Sequence, residues 1–230
     1  MLRFLLVTSA VVWPLLSCGG SKALRGDGDM QSRVNIALLA GATVGGLVEN
    51  SEMTGLENSC GIDAITGATD KTFNAGVHTE INIKGLRLET GMDYIGYNQS
   101  IMYSFPASED GLRDIRFHQL RLPLTYNFSF FNNTENQPLL VLKAGFSLGY
   151  TISKSITEQG DLPDYTFINW DVGPTLGLAL YPFSSWTGYR LGLYMDVYRG
   201  SRIYEDKYHQ AEGMGGQSYL KFGIVVQPGF

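Results

Sequence analysis

The sequence predicts an all-β protein, an eight-stranded antiparallel up-and-down transmembrane β-barrel. Three observations predict it. Apolar side chains recur at every second position through eight runs of the chain, the period of a strand with one greasy face. The links between those runs alternate short and long, as the periplasmic turns and external loops of an outer-membrane barrel do. Aromatic residues gather at both ends of the runs, where such a barrel carries its interfacial girdles.

Composition agrees. The 230 residues include 28 Gly, 13 Tyr and 12 Phe, and charged residues make up only 17%. Mean hydropathy is −0.04, which excludes a bundle of membrane helices. A barrel strand hides its apolarity because every second residue is polar. The formal net charge of −5 and the lack of a basic cluster argue against nucleic acid as a partner.

The chain opens with Arg3 and a mostly apolar run from Phe4 to Leu16, too short to span a bilayer and suited to the core of a signal peptide. Leu15-Leu16-Ser17-Cys18 resembles a bacterial lipobox. Residues 1–17 are therefore expected to be a signal peptide of lipoprotein type, with lipidation at Cys18; ordinary signal cleavage nearby is the alternative. Residues 18–32 are polar with several Gly and Asp and read as a flexible periplasmic tether. Cys60 is then left unpaired, and no disulfide is expected.

The barrel is expected over residues 33–230. Its runs are Val34–Leu47, Lys71–Ile83, Leu86–Tyr97, His118–Phe130, Leu139–Ser153, Ile168–Tyr181, Tyr189–Arg199 and Tyr219–Phe230. Each sets an apolar parity against a small or polar one: Leu120, Leu122, Leu124, Tyr126 and Phe128 against Arg121, Pro123, Thr125 and Asn127, for example. Short links follow the second, fourth and sixth runs, at Lys84-Gly85, Phe131–Gln137 and Pro182–Thr187. Long ones follow the odd runs, at Val48–Asp70, Asn98–Arg113, Lys154–Thr166 and Gly200–Gly216. This sorting places both termini in the periplasm. Phe128, Phe130, Phe131, Tyr181, Phe183, Trp186, Tyr189 and Phe230 form the expected periplasmic girdle. Tyr94, Tyr97, Tyr150, Tyr165, Phe167 and Trp170 form the outer one.

The second parity carries Glu80, Glu89, Asp93, Asp171 and Asp196 against Arg87, Arg121, Lys143, Arg190 and Lys221. An eight-stranded barrel is just wide enough for side chains to fill. Five charges of each sign in that space are expected to pair with one another, and with His78 and Tyr194, as a lumen charge network. Unpaired, each would cost about several kcal/mol of desolvation. A narrow ion path or an interior substrate site are the alternatives.

No catalytic, cofactor-binding or metal residues are expected, and no cofactor. Gly145-Phe146-Ser147-Leu148-Gly149 fits G-x-S-x-G, but the esterase elbow needs a strand–turn–helix and a histidine, and this stretch lies within a strand. His78, His118 and His209 lack metal-ligand spacing. Eight-stranded lipid-modifying enzymes place a His–Ser–acid set near the outer leaflet. His118 or His209 with a loop serine is the enzyme alternative.

The strand text VNIALLAGATVGGL, FNAGVHTEINI, LRLETGMDYIGYNQ, HQLRLPLTYNF, LLVLKAGFSLGY, WDVGPTLGLALYPF and YRLGLYMDVYRG resembles, in that order, the PorT-like outer-membrane β-barrel family of Bacteroidetes-type bacteria. Gly41, Leu122-Pro123-Leu124 and Ala144–Tyr150 occupy places where the family repeats a Gly, an L-P-L step and an A-G-x-x-L-G-Y strand. The resemblance covers about residues 33–230. It implies a barrel without a catalytic motif, and a link to protein secretion for the family's named member. The expected partners are outer-membrane lipid, the barrel-assembly machinery and an envelope or secretion protein, with the barrel itself monomeric. Its expected place is the bacterial outer membrane, with a structural or interaction role carried by the extracellular loops. Phe230 resembles the aromatic C-terminal assembly signal of outer-membrane barrels.

Overall fold

In the computed structural model, the chain separates into a leading unit, Met1–Gln31, and a body, Ser32–Phe230. The structure describes residues 33–47, 64–83, 86–105, 109–132, 138–186, 189–206 and 216–228. The signal peptide, Cys18, Cys60, His209 and Phe230 lie outside these residues.

The body is a ring of antiparallel strands. In chain order they are β1 (Arg33–Gly46), β2 (Ala64–Asp70), β3 (Thr72–Ile83), β4 (Leu86–Ser104), β5 (Gly111–Asn132), β6 (Pro138–Gln159), β7 (Tyr165–Phe167), β8 (Trp170–Trp186), β9 (Tyr189–Arg202), β10 (Tyr204–Asp206) and β11 (Gly216–Pro228). β2 and β3 both pair with β4 and form one barrel strand broken at Lys71. β7 and β10 pair only with each other. The remaining order, β3-β4-β5-β6-β8-β9-β11-β1, closes because β1 pairs with β3 on one edge and β11 on the other. Leu38, for instance, faces both Val77 and Val226. Closure leaves no free edge at the depth of the ring, the condition for strands to stand in lipid.

Alternation decides which way each side chain points. Leu122, Leu124, Phe146, Leu176 and Ile224 are 50–64% exposed on the outside. Between them Arg121, Lys143, Lys221 and Val225 are at most 7% exposed on the inside. The outward apolar band on β5 runs from Leu120 to Phe130. At about 3.3 Å per residue and a tilt of about 40°, that crosses roughly 25 Å, the height of the apolar band in outer-membrane barrels, about 25 Å. The fold is thus a transmembrane β-barrel, greasy toward its surroundings and polar within.

Above this band the pattern inverts. The end where β1 starts and β11 finishes is called the near end, the opposite one the far end. Toward the far end β4 turns Ile95, Tyr97, Ile101 and Tyr103 inward, all at most 1% exposed. It turns Asn98 and Ser100 outward. β5 likewise buries Phe117 and Ile115 and presents His118, Arg116 and Asp114. The change falls at one height, because Ile95 pairs with Gln119 and Gln119 with Thr151. Below it the outside is lipid, so charge goes inside. Above it the outside is water, so the apolar side chains form an ordinary core: Leu47, Ile95, Tyr97, Ile101, Tyr103, Ile115, Phe117, Tyr198, Ile203, Tyr204 and Tyr219.

A β-bulge marks the same height. His118 pairs with Ser153 but Gln119 pairs with Thr151, so Ile152 is an extra residue in β6. The bulge shifts the parity of β6 by one. Lys154 and Glu158 then lie on the inner side, where Lys154 Nζ sits 4.8 Å from the Phe167 ring centroid and Glu158 meets Arg113 at 2.8 Å.

The inversion corrects several sequence expectations. Much of the text expected as loop is strand: Ala64–Asp70, Asn98–Ser104, Gly111–Arg113 and Lys154–Gln159. Once the outer face meets water it no longer needs apolar residues, so the run of greasy positions stops while the strand goes on. Tyr97 is not in the outer girdle; it is inside, 4.5 Å from Phe117 between ring centroids. Phe167 also packs against the inner cluster. At the near end β8 continues through Trp186, across most of the expected turn at Pro182–Thr187.

Candidate functional site

The lumen holds the polar side chains, and strand tilt stacks them in tiers. At the near end Arg87, from β4, places Nη2 2.7 Å from Glu80 Oε1 and 2.9 Å from Oε2. Asn127 from β5 then donates to Glu80 at 2.7 Å and to Glu89 at 2.9 Å. Arg190 donates to Gln227 at 3.0 Å and to the Pro138 carbonyl, so among the described contacts its partners are neutral acceptors rather than an acid.

The middle tier centres on His78. Its Nδ1 lies 2.7 Å from Glu89 and its Nε2 2.9 Å from Asp93. Lys143 reaches Glu89 at 2.6 Å. Lys221 reaches Asp93 at 2.5 Å and Asp196 at 3.1 Å. Tyr194 donates its hydroxyl to Asn74. Five strands, β3, β4, β6, β9 and β11, therefore meet through one hydrogen-bonded cluster.

The third tier is Arg121 with Asp171. Nη1 is 2.8 Å from Asp171 Oδ2, Nε donates to Ser147 at 3.2 Å, and the guanidinium lies 3.8 Å from the Tyr198 ring centroid. Asp171 also accepts from the Tyr198 hydroxyl at 2.8 Å and from the Ser201 amide at 2.9 Å. The apolar core described above closes the barrel beyond this tier.

Glycine makes room for these groups. Asp93, Asp196 and Asp171 each lie over an inward glycine of an adjoining strand segment, Gly76, Gly177 and Gly200, where a Cβ would strike the carboxylate. The signal was present in the sequence as small residues alternating on the lumen parity, but which charge leans over which glycine depends on register.

Little space remains. Two interior cavities of about 10 Å³ each lie among the tiers, the room of about one water. Arg190 lines the first and Asp196 the second. Each also owns one of the buried atoms without a protein partner, Arg190 Nε and Asp196 Oδ1.

The far end is tied by Arg113, which is fully buried. Nη1 donates to the hydroxyls of Tyr204 and Tyr103, Nη2 to the Pro163 carbonyl at 2.5 Å, and Nε to Glu158 at 2.8 Å. Its guanidinium also lies 4.8 Å from the Tyr165 ring centroid. Burial works against this charge, but Tyr204, Tyr103 and Glu158 around it raise its pKa above that of a free arginine. One side chain thus fastens the β7–β10 ribbon to the walls of β4, β5 and β6. Sequence reasoning placed Arg113 in a loop and missed it; its partners come from segments up to 91 residues away.

The motifs weighed for chemistry fall apart in space. Ser147 points into the lumen and accepts from Arg121; His78, which lines the same small cavity, bonds instead to Glu89 and Asp93. His118 faces outward, its Nδ1 2.8 Å from the Tyr94 hydroxyl, so the place of an orienting carboxylate is taken by a phenol. Among the described residues no group of His, Cys, Asp and Glu forms a metal site.

These features define the class: a closed, membrane-spanning β-barrel with a filled lumen and a core of its own above the membrane. No protein-family profile and no curated protein matches the chain. Among solved structures, the outer membrane protein OprG from Pseudomonas aeruginosa is similar, with 10% identity over 86% of this chain and 98% of that one and a TM-score of 0.45.

Proposed function

We propose that the protein is an integral outer-membrane β-barrel that acts as a structural or interaction element at the cell surface, and not as a conduit. The observation that carries the reading is the combination of an apolar outer band with a lumen whose charges, Arg190 apart, pair with one another. Short links at the near end and longer ones at the far end support a periplasmic near end and an extracellular far end. The far-end wall, in which β4 and β5 are wet outside and apolar inside, then stands above the membrane and is the natural place for contact with an envelope or secretion assembly. Membership of the PorT-like family belongs to the same proposal and is supported by Leu122-Pro123-Leu124 and Ala144–Tyr150. So do a monomeric barrel in outer-membrane lipid, delivery by the barrel-assembly machinery through Phe230, and lipidation of Cys18 as a second tether on the periplasmic side.

Planar-bilayer recording on the reconstituted protein tests the closed lumen. The expected trace shows no steady conductance on the nanosiemens scale. A stable open level of that size would show a continuous water path through the three tiers and overturn the reading.

A further inference from the structure

Just above the apolar band, the outer surface of β3, β4 and β5 forms a notch rich in hydrogen-bond donors. His118 occupies its centre. Its ring stacks on Tyr94, with centroids 5.6 Å apart and planes 16° apart, while the Tyr94 hydroxyl engages Nδ1. Gly96, the register partner of His118 on β4, has no side chain, so the imidazole lies against bare backbone. Thr72 closes the notch from β3 by donating its hydroxyl to the Gly96 carbonyl. Where the phenol donates to Nδ1, Nε2 carries the ring proton and faces outward as a donor.

Two cations flank this ring. Arg116 is exposed two residues further up β5, with Asn98 and Ser155 as register partners. Lys71 is exposed at the break between β2 and β3, next to Thr72. Neither is in an ion pair among the described residues. The nearby acids are Asp70, in the same row as Arg116 across Asn98, and Asp114, one step further from the band, where the Ser100 hydroxyl donates to it at 2.5 Å. Directly below the notch are Phe73, 59% exposed, with Tyr94 5.2 Å away between ring centroids, and Leu120. The donors therefore sit where hydrocarbon ends and lipid headgroups begin.

We propose that this notch binds a phosphorylated headgroup of a lipid in the surrounding leaflet. His118 Nε2, Arg116 and Lys71 donate to the phosphate oxygens, and the acyl chains run down the Phe73–Tyr94–Leu120 face. Arginine and histidine donors matched to a phosphate form charge-assisted hydrogen bonds, the stronger kind. The proposal rests on the reading of the chain as a membrane-inserted barrel.

The test is native mass spectrometry of the full chain released from neutral detergent. The probes are an acylated glucosamine disaccharide bisphosphate, the same lipid with its phosphates removed, and inorganic phosphate. The phosphorylated lipid is expected to bind at least about tenfold more tightly than the dephosphorylated one. The Arg116→Gln/Lys71→Gln double variant should bring the two together. Lys71→Gln alone, at an exposed strand break, gives a smaller loss in a background that folds as the parent does. His118→Phe keeps the stacking and loses part of the preference. Equal binding of the two lipids, or an unchanged preference in the double variant, overturns the proposal. Displacement of the lipid by equimolar inorganic phosphate makes the notch a free-anion site and overturns the lipid assignment. Heat-modifiable migration on cold SDS gels is read first: a parent chain that lacks it contradicts the barrel reading itself, a different failure from a barrel that ignores phosphate.

Discussion

Arg121 concentrates the energetics of the filled lumen in one side chain. It is fully buried, and it is the ion-pair partner of Asp171. Arg121→Met removes the cation and leaves a buried carboxylate with only hydroxyl and amide donors. Breaking such a pair costs about 3–5 kcal/mol, whereas removing both charges costs much less. Urea unfolding in detergent micelles, followed by tryptophan fluorescence, should show a large loss for Arg121→Met and substantial recovery in Arg121→Met/Asp171→Asn. Equal losses in the two variants would mean that the pair contributes packing rather than charge compensation. The ten charged residues themselves were legible as one parity of the strands. Their partners were not, because pairing depends on which tier tilt and register bring together: Asp93 and Lys221 are 128 residues apart in sequence.

Strands set the sidedness of every substitution. In β11, Ile224 is 50% exposed on the outer face and Val225 is 1% exposed within. Ile224→Arg should cost about 2–4 kcal/mol near the membrane midplane, measured by the same unfolding assay. Val225→Arg should act instead by crowding the tiers. The bulge in β6 gives a sharper test. Deleting Ile152 and Ser153 together sets Lys154 directly after Thr151 and so turns Lys154, Ile156 and Glu158 to the outer face. Lys154 then leaves the Phe167 ring and Glu158 leaves Arg113, which loosens the β7–β10 ribbon, and limited proteolysis should cut between 160 and 169 while the membrane band stays protected. Unchanged resistance would show that the ribbon is held by other contacts. The bulge left no mark in the sequence pattern, because Ser153 to Thr157 are compatible with either face. That is why a strict two-residue period described the strands only as far as Ser153.

At the scale of the molecule, one closed sheet serves two solvents. In its lower part the outside is apolar and the inside charged. In its upper part Ile95, Tyr97, Ile115 and Phe117 face inward, and Asn98, Arg116 and Asp114 face out. The lower part was legible because lipid demands apolar residues at every outward position, which leaves a strong dyad pattern. The upper part looks like loop for the same physical reason: water makes no such demand, and an inward apolar residue every second position is a weaker signal when the outward ones are merely polar. The height at which the pattern turns over fixes membrane position, lumen and surface wall together. Spin labels placed in turn at Leu124, Leu122, Leu120, Arg116 and Asp114 on β5 test it most directly, by comparing relaxation by oxygen with relaxation by a water-soluble nickel complex in reconstituted membranes. Oxygen is expected to dominate through Leu120 and the nickel complex from Arg116 onward. Oxygen dominance continuing through Arg116 and Asp114, or nickel access at Leu122 and Leu124, would contradict it.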